Sequence, residues 1–233
     1  MTLVKICGIT SRADADAAIA AGADRLGFIG VEGSPRYLTP DAFRAVTAGL
    51  RVPKVLVVQR LADAAAYASA AADNPTPTLP FVREGSRDPL GAGGFDYVQF
   101  YEESDGRMEP PVAADRLVRV FRMKDAASLA AVLAFGAPIG ALHLDTHHPD
   151  KLGGAGTTFD WSLAADAVAT IKTPIILAGG LTPDNVAQAL DAVRPYAVDV
   201  ASGVEARPGV KDHGKVRAFI QAVREWDASH HAT

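Results

Sequence analysis

The chain has 233 residues, 48% of them apolar and 21% charged, with a single cysteine and a net charge of −4. That length fits one large domain or two small ones and is ample to bury a real core, and the composition is that of neither a disordered nor a collagen-like chain. It offers no basic field for nucleic acid, no internal disulfide and no apolar run approaching the ~18 residues of a membrane span.

The chain leads straight into a strand-like Leu3-Val4-Lys5-Ile6 with no leader pattern before it, so a cytoplasmic location is expected. Short apolar runs then alternate with alanine-rich segments of helical period. Strands are expected near residues 2–7, 24–29, 54–59, 95–101, 117–122, 139–145, 174–179 and 197–201. Helices are expected near 12–21, 40–49, 61–73, 125–135, 160–170, 183–193 and 211–226. Thr39-Pro40 and Thr182-Pro183 each place a capping residue before a proline at the first helical position, and Gly22 and Gly136 each follow the end of an alanine-rich stretch. Residues 74–94 are dense in proline and glycine and read as a surface insertion ahead of the fourth strand, in preference to a domain linker. Pro110-Pro111 leaves the fourth helix short or missing. Strands separated by helices predict βαβ units and a parallel sheet. Repeated along the whole chain, they predict an α/β fold, a (β/α)8 TIM barrel forming one domain over residues 1–233, with a doubly wound open sheet as the alternative.

In such a barrel the chemistry sits at the carboxyl ends of the strands. Those ends carry Cys7, Gln59, Gln99, Tyr101, Asp145, Gly179-Gly180 and the run Asp199 to Gly203. Side chains alternate faces along a strand, so Leu3, Lys5 and Cys7 share one face. Ala141, His143 and Asp145 share another, with Leu142 and Leu144 turned toward the helices. Cys7 and Asp145 then rise at one rim, where a thiol and a carboxyl group serve as base and acid. The turns Ala178-Gly179-Gly180-Leu181 and Ala201-Ser202-Gly203-Val204 follow adjacent strands and expose backbone N–H groups, a common place for phosphate in barrels.

The chain resembles the phosphoribosylanthranilate isomerase family of tryptophan biosynthesis. The matching segments are KICGIT at 5–10, GADRLGF at 22–28, SPRY at 34–37, LDTHHPDKLGGAGTTFDW at 144–161, ILAGGLTPDNV at 176–186 and VDVASGVEARPGVKDHGKVRAFI at 198–220. The resemblance implies an Amadori rearrangement of N-(5′-phosphoribosyl)anthranilate, with no cofactor and no metal. It implies Cys7 as general base, Asp145 as general acid and Arg36 as the partner of the anthranilate carboxylate. Asp199 would lie over the reacting centre, with Gln99 also touching substrate. Gly179, Gly180, Ser202 and Gly203 would hold the phosphate. The partner implied is a small sugar phosphate bearing an anthranilate group, bound by a monomer or homodimer, with no nucleic acid or membrane involved.

The chain departs from the family pattern at Gly30-Val31-Glu32-Gly33, at Gln59-Arg60, at Tyr101 where a histidine is usual, at Ala155 and Thr157, and at Ala201. A diverged barrel acting on another sugar phosphate, or a catalytically weak binding module, are the alternative readings. Lys5 is expected to face inward beneath Cys7 with a carboxylate partner, and His143 to face inward with its hydrogen bonds satisfied. A metal site at His143, Asp145, His147 and His148 is set aside, because the last two histidines lie on a loop with no fixed face.

Overall fold

The computed structural model describes residues 1–68, 94–102, 112–147 and 158–230. Most of the expected 74–94 insertion lies outside them. So do Pro110-Pro111, the end of the helix expected at 61–73, and the loop carrying His148, Ala155 and Thr157.

Eight parallel strands close into a barrel. They are β1 (Leu3–Cys7), β2 (Arg25–Ile29), β3 (Lys54–Arg60), β4 (Tyr97–Glu102), β5 (Leu117–Met123), β6 (Ala141–Thr146), β7 (Ile175–Leu177) and β8 (Ala197–Val200). Each pairs with the next, and β8 returns to β1 through Lys5 opposite Asp199, which rules out the open sheet. The helices among the described residues are α1 (Arg12–Ala20), α2 (Pro40–Thr47), α3 (Ala126–Ala134), α4 (Trp161–Thr170), α5 (Val186–Val193) and α6 (His213–His230). The strands are tied together at their amino ends by a repeated device. Asp24, just before β2, accepts from the Val4 amide at 2.7 Å, and Asp96, just before β4, accepts from the Lys54 amide at 2.8 Å.

Several boundaries differ from the sequence expectation. Thr39 caps α2 as expected, accepting from the Ala42 amide. Thr182-Pro183 does not open α5: those residues form a turn, and Asn185 stands at the helix start, its side-chain oxygen accepting from the Thr182 amide at 2.8 Å. The described part of the segment after β3 is a 3-10 helix, Leu61–Tyr67, and not an α-helix. Its buried residues, Ala64 and Tyr67, stand three apart, the spacing that a three-residue turn stacks on one side. Before β5 only a single 3-10 turn, Ala114–Arg116, is described. The last helix begins at His213, later than expected, because residues 205–211 first form a small antiparallel hairpin, β9 (Glu205–Arg207) with β10 (Val210–Lys211).

Apolar packing falls into two zones. The larger lies between barrel and helices, where Phe28, Phe43, Leu142, Leu144 and Phe219 are almost wholly buried. The smaller, Val55, Tyr97, Val118, Ala141, Ile176 and Ala197, plugs the lower interior, with Leu3 packed against it. Thus Ala141 faces the axis while Leu142 and Leu144 face the helices, as strand alternation requires. The stagger of the pairings puts inward residues of alternate strands at one height. Above the apolar plug this gives a layer of Gly27, Gln99, His143 and Asp199. Cys7, Val57 and Val120 stand one layer higher, and Asp145 one layer above those.

Candidate active site

Strand ends and loops of the barrel's carboxyl face line an open cleft. Every residue given a catalytic, substrate-binding or phosphate-binding role from the sequence lines it: Cys7, Arg36, Gln99, Asp145, Gly179, Gly180, Asp199, Ser202 and Gly203; Gln59, also expected at a strand end, does not. His143 and Tyr101 line it as well.

Asp145 is the last but one residue of β6, with 7% of its surface exposed, and its Oδ1 accepts from the Thr146 amide at 2.8 Å. Burial raises its carboxyl above the usual carboxylate range, and nearby Asp199 pushes the same way, while His143 opposes both. Asp145 is thereby biased toward the protonated form that a general acid needs. Cys7 ends β1, also buried, and burial raises its thiol. The Lys5 ammonium, within hydrogen-bonding reach of the thiol, pulls the other way.

Beneath them lies a buried charge network. Lys5 Nζ donates to Asp199 Oδ2 at 2.8 Å, and His143 Nε2 lies 2.9 Å from the same oxygen. Burial alone would raise the Asp199 carboxyl, but Lys5 and His143 outweigh it and hold it at about 2. Asp199 is therefore an anion, and the His143 nitrogen facing it carries hydrogen. The carboxylate expected beside Lys5 is Asp199. The network depends on Gly27: a Cβ there would stand 2.7 Å from Cys7 Sγ and 2.9 Å from Lys5 Nζ. The missing side chain is the space into which thiol and ammonium converge.

Arg36 is not a lone guanidinium. Its Nε and Nη2 each donate at 2.7 Å to the two oxygens of Glu205, a bidentate pair. Glu205 Oε1 also accepts from Lys211 Nζ at 3.0 Å. The β9–β10 hairpin thus supports Arg36 from behind and fixes which edge of the guanidinium faces the cleft. Neither Glu205 nor Lys211 was singled out from the sequence, although both stand in the VEARPGVKD stretch. Gly179 and Gly180 adopt φ of 86° and 67°, the left-handed region that glycine enters without strain. They turn the chain directly after β7, and Ser202-Gly203 does the same after β8. The Gly180 and Gly203 amides donate to no carbonyl among the described residues.

His143 departs from the expectation of a fully satisfied side chain, since its Nδ1 is buried without a hydrogen-bond partner among the described residues. Its other nitrogen is given to Asp199, and among the described residues no three of His, Cys, Asp and Glu are grouped as metal ligands would be. Tyr101, where the family pattern has histidine, is partly buried at the cleft, and removal of its hydroxyl from water drives that group well above the normal range, so it stays protonated.

A closed parallel barrel with a buried carboxyl group, a thiol and two glycine turns around one cleft defines a (β/α)8 acid–base enzyme for a small anionic substrate. The family model described as N-(5′-phosphoribosyl)anthranilate (PRA) isomerase matches residues 96–222, more than half of the chain. The N-(5′-phosphoribosyl)anthranilate isomerase of Geobacter sulfurreducens is 41% identical over 230 residues, covering 97% of this chain and all of that one. Among solved structures, phosphoribosyl anthranilate isomerase from Thermotoga maritima aligns with a TM-score of 0.73 at 29% identity, over 97% of this chain and 100% of that one. Another, in complex with reduced 1-(o-carboxyphenylamino)-1-deoxyribulose 5-phosphate, aligns with a TM-score of 0.70 at 29% identity, with the same coverage of both chains. The chain belongs to the phosphoribosylanthranilate isomerase family.

Proposed function

We infer that this protein converts N-(5′-phosphoribosyl)anthranilate to 1-(o-carboxyphenylamino)-1-deoxyribulose 5-phosphate in tryptophan biosynthesis, with Cys7 and Asp145 as base and acid. The observation that carries the residue assignment is the pair itself. A carboxyl group biased toward its protonated form by burial and a thiol beside an ammonium line one cleft.

Protonated Asp145 gives its proton to the furanose oxygen, and the ring opens to an iminium ion. The Cys7 thiolate then removes the C2′ proton, leaving an enolamine that becomes the ketone by moving a proton from the C2′ oxygen to C1′. The cation formed on ring opening favours the thiolate at the moment it is needed. Hydrogen is only redistributed within the substrate, so the net reaction needs no oxidant or reductant. Arg36 meets the anthranilate carboxylate with the guanidinium edge that Glu205 leaves open. Asp199 and Gln99 lie beneath the sugar, and the turns at Gly179-Gly180 and Ser202-Gly203 take the phosphate. Anchoring the two anionic ends orients the reacting carbons between acid and base. The enzyme works in the cytoplasm as a monomer or homodimer, with no nucleic-acid or membrane partner. Among the described residues no helix is long and apolar enough to cross a membrane.

Turnover is followed by the fluorescence change of the anthranilate group. Cys7→Ser and Asp145→Asn should each lower kcat by roughly 100-fold or more while circular dichroism stays unchanged. Near-normal kcat in either variant would remove that residue from the mechanism. Failure of the wild-type gene to rescue a tryptophan auxotroph lacking this step would remove the substrate.

A further inference from the structure

The middle layer of the barrel interior contains more hydrogen-bond acceptors than the fold itself uses. Gln99 Oε1, His143 Nδ1 and Asp199 Oδ1 are all buried, and none has a hydrogen-bond partner among the described residues. Gln99 Oε1 and Asp199 Oδ1 are acceptors, and His143 Nδ1 becomes a third in the neutral imidazole, where the hydrogen stands on the Nε2 that faces Asp199. Proteins rarely leave buried acceptors without donors, and a cluster of them marks a place where donors arrive from outside. Below this layer Val55, Val118 and Ile176 offer no donor, and the Lys5 ammonium beside them is given to the other Asp199 oxygen, Oδ2, at 2.8 Å. Above it stand Cys7 and Asp145, and all of these polar residues line the same cleft.

We propose that His143 is a specificity-determining residue, accepting through Nδ1 a hydrogen bond from a ribose hydroxyl of the substrate, with Asp199 Oδ1 and Gln99 Oε1 beside it. The inference rests on the isomerase reading. It follows from which part of the substrate carries donors. The phosphate and the anthranilate carboxylate are anionic acceptors, and the Asp199 carboxylate repels them. The vicinal hydroxyls of the sugar are donors. They flank the carbons on which Cys7 and Asp145 act, so a sugar poised for reaction presents them downward to this layer. His143 then has two faces with two duties: Nε2–H steadies Asp199, and Nδ1 reads the sugar.

Two substitutions separate those duties. His143→Gln places an amide nitrogen near the Nε2 position and keeps a donor for Asp199, but loses the acceptor facing the sugar. His143→Asn places an oxygen near the Nδ1 position and keeps the acceptor, but loses the contact with Asp199. The measurements are kcat/KM and the affinity for reduced 1-(o-carboxyphenylamino)-1-deoxyribulose 5-phosphate and its monodeoxy analogues, in protein shown to be folded by thermal melting. The expected result is a loss on the order of 10-fold in both quantities for His143→Gln, with a smaller loss for His143→Asn. One monodeoxy analogue should bind wild type more weakly than the parent, yet lose nothing further against His143→Gln. His143→Gln at wild-type level with His143→Asn impaired would show that the ring only props Asp199, and would overturn the proposal. So would equal deoxy penalties in wild type and His143→Gln. Wild-type protein that neither turns over the substrate nor binds the analogue would overturn the isomerase reading, and this inference with it.

Discussion

At the scale of single residues, Cys7 and Asp145 are raised together, yet the reaction needs one deprotonated and the other protonated. Between their two ionisations the pair holds one proton, and the reactive arrangement is the form with that proton on Asp145. Below the Asp145 ionisation a second proton quenches the thiolate, and above the Cys7 ionisation the acid is lost. Plots of kcat/KM against pH should therefore be bell-shaped, with the acid limb above the ~4 of a free carboxyl and the alkaline limb at or above the ~8.5 of a free thiol. A profile that keeps rising through the alkaline range would show that no acid is needed and would sink the Asp145 assignment. The positions of both residues were legible in the sequence, because strand alternation and the KICGIT and LDT segments agree. Their ionisation was not, because it depends on burial and on Lys5, Asp199 and His143, which the closed barrel brings in from three strands. The free nitrogen of His143 was likewise hidden, since alternation says that a side chain faces inward and not whether its hydrogen bonds are met.

At the scale of elements, the strands were legible because each is a short apolar run bounded by glycine, proline or a helical pattern. The β9–β10 hairpin was not. Glu205–Arg207 and Val210–Lys211 are too short and too polar to show a strand period, and their formation is tied to Glu205 reaching Arg36 and Lys211 reaching Glu205. The hairpin is thus a brace for one side chain. If Arg36 meets the substrate carboxylate, loosening the brace should weaken binding and spare the chemistry. Glu205→Gln, which leaves a hydrogen-bonding shape but removes the charge, should raise KM by roughly 5- to 10-fold and change kcat less than about 2-fold. An unchanged KM alongside a large fall in kcat would place Arg36 at the reacting atoms and not at the carboxylate. The 3-10 helix after β3 was misread for a related reason. Its alanines favour an α-helix, but Tyr67 is drawn aside by a 2.6 Å hydrogen bond to the Leu38 carbonyl and by an edge-to-face contact with Phe43.

At the scale of the whole molecule, the two faces of the barrel do different work. The amino-end face is closed by the chain's own extremities. Asp227 on α6 is buried and accepts from both the amide and the hydroxyl of Thr2 at 2.9 Å, and Arg224 donates to the Thr2 carbonyl at 2.7 Å. Asp227→Ala should lower stability in urea by about 2–3 kcal/mol while leaving kcat/KM of the folded protein unchanged at 25 °C, because the cut lies at the end opposite the cleft. Loss of activity without loss of stability would contradict that division of labour. The mid-barrel layer lies between the two faces. Barrel interiors are ordinarily layered with branched aliphatic side chains. This one fills its middle layer with Gln99, His143 and Asp199 and the Lys5 ammonium rising from the layer below into the gap at Gly27. Replacing buried charges by well-packed apolar groups commonly raises stability, so the most direct route to a hardier barrel runs through the residues proposed to bind the substrate. Selection for heat resistance alone would hollow out this enzyme from its centre, leaving the fold intact and the rim in place above a floor that no longer holds a sugar.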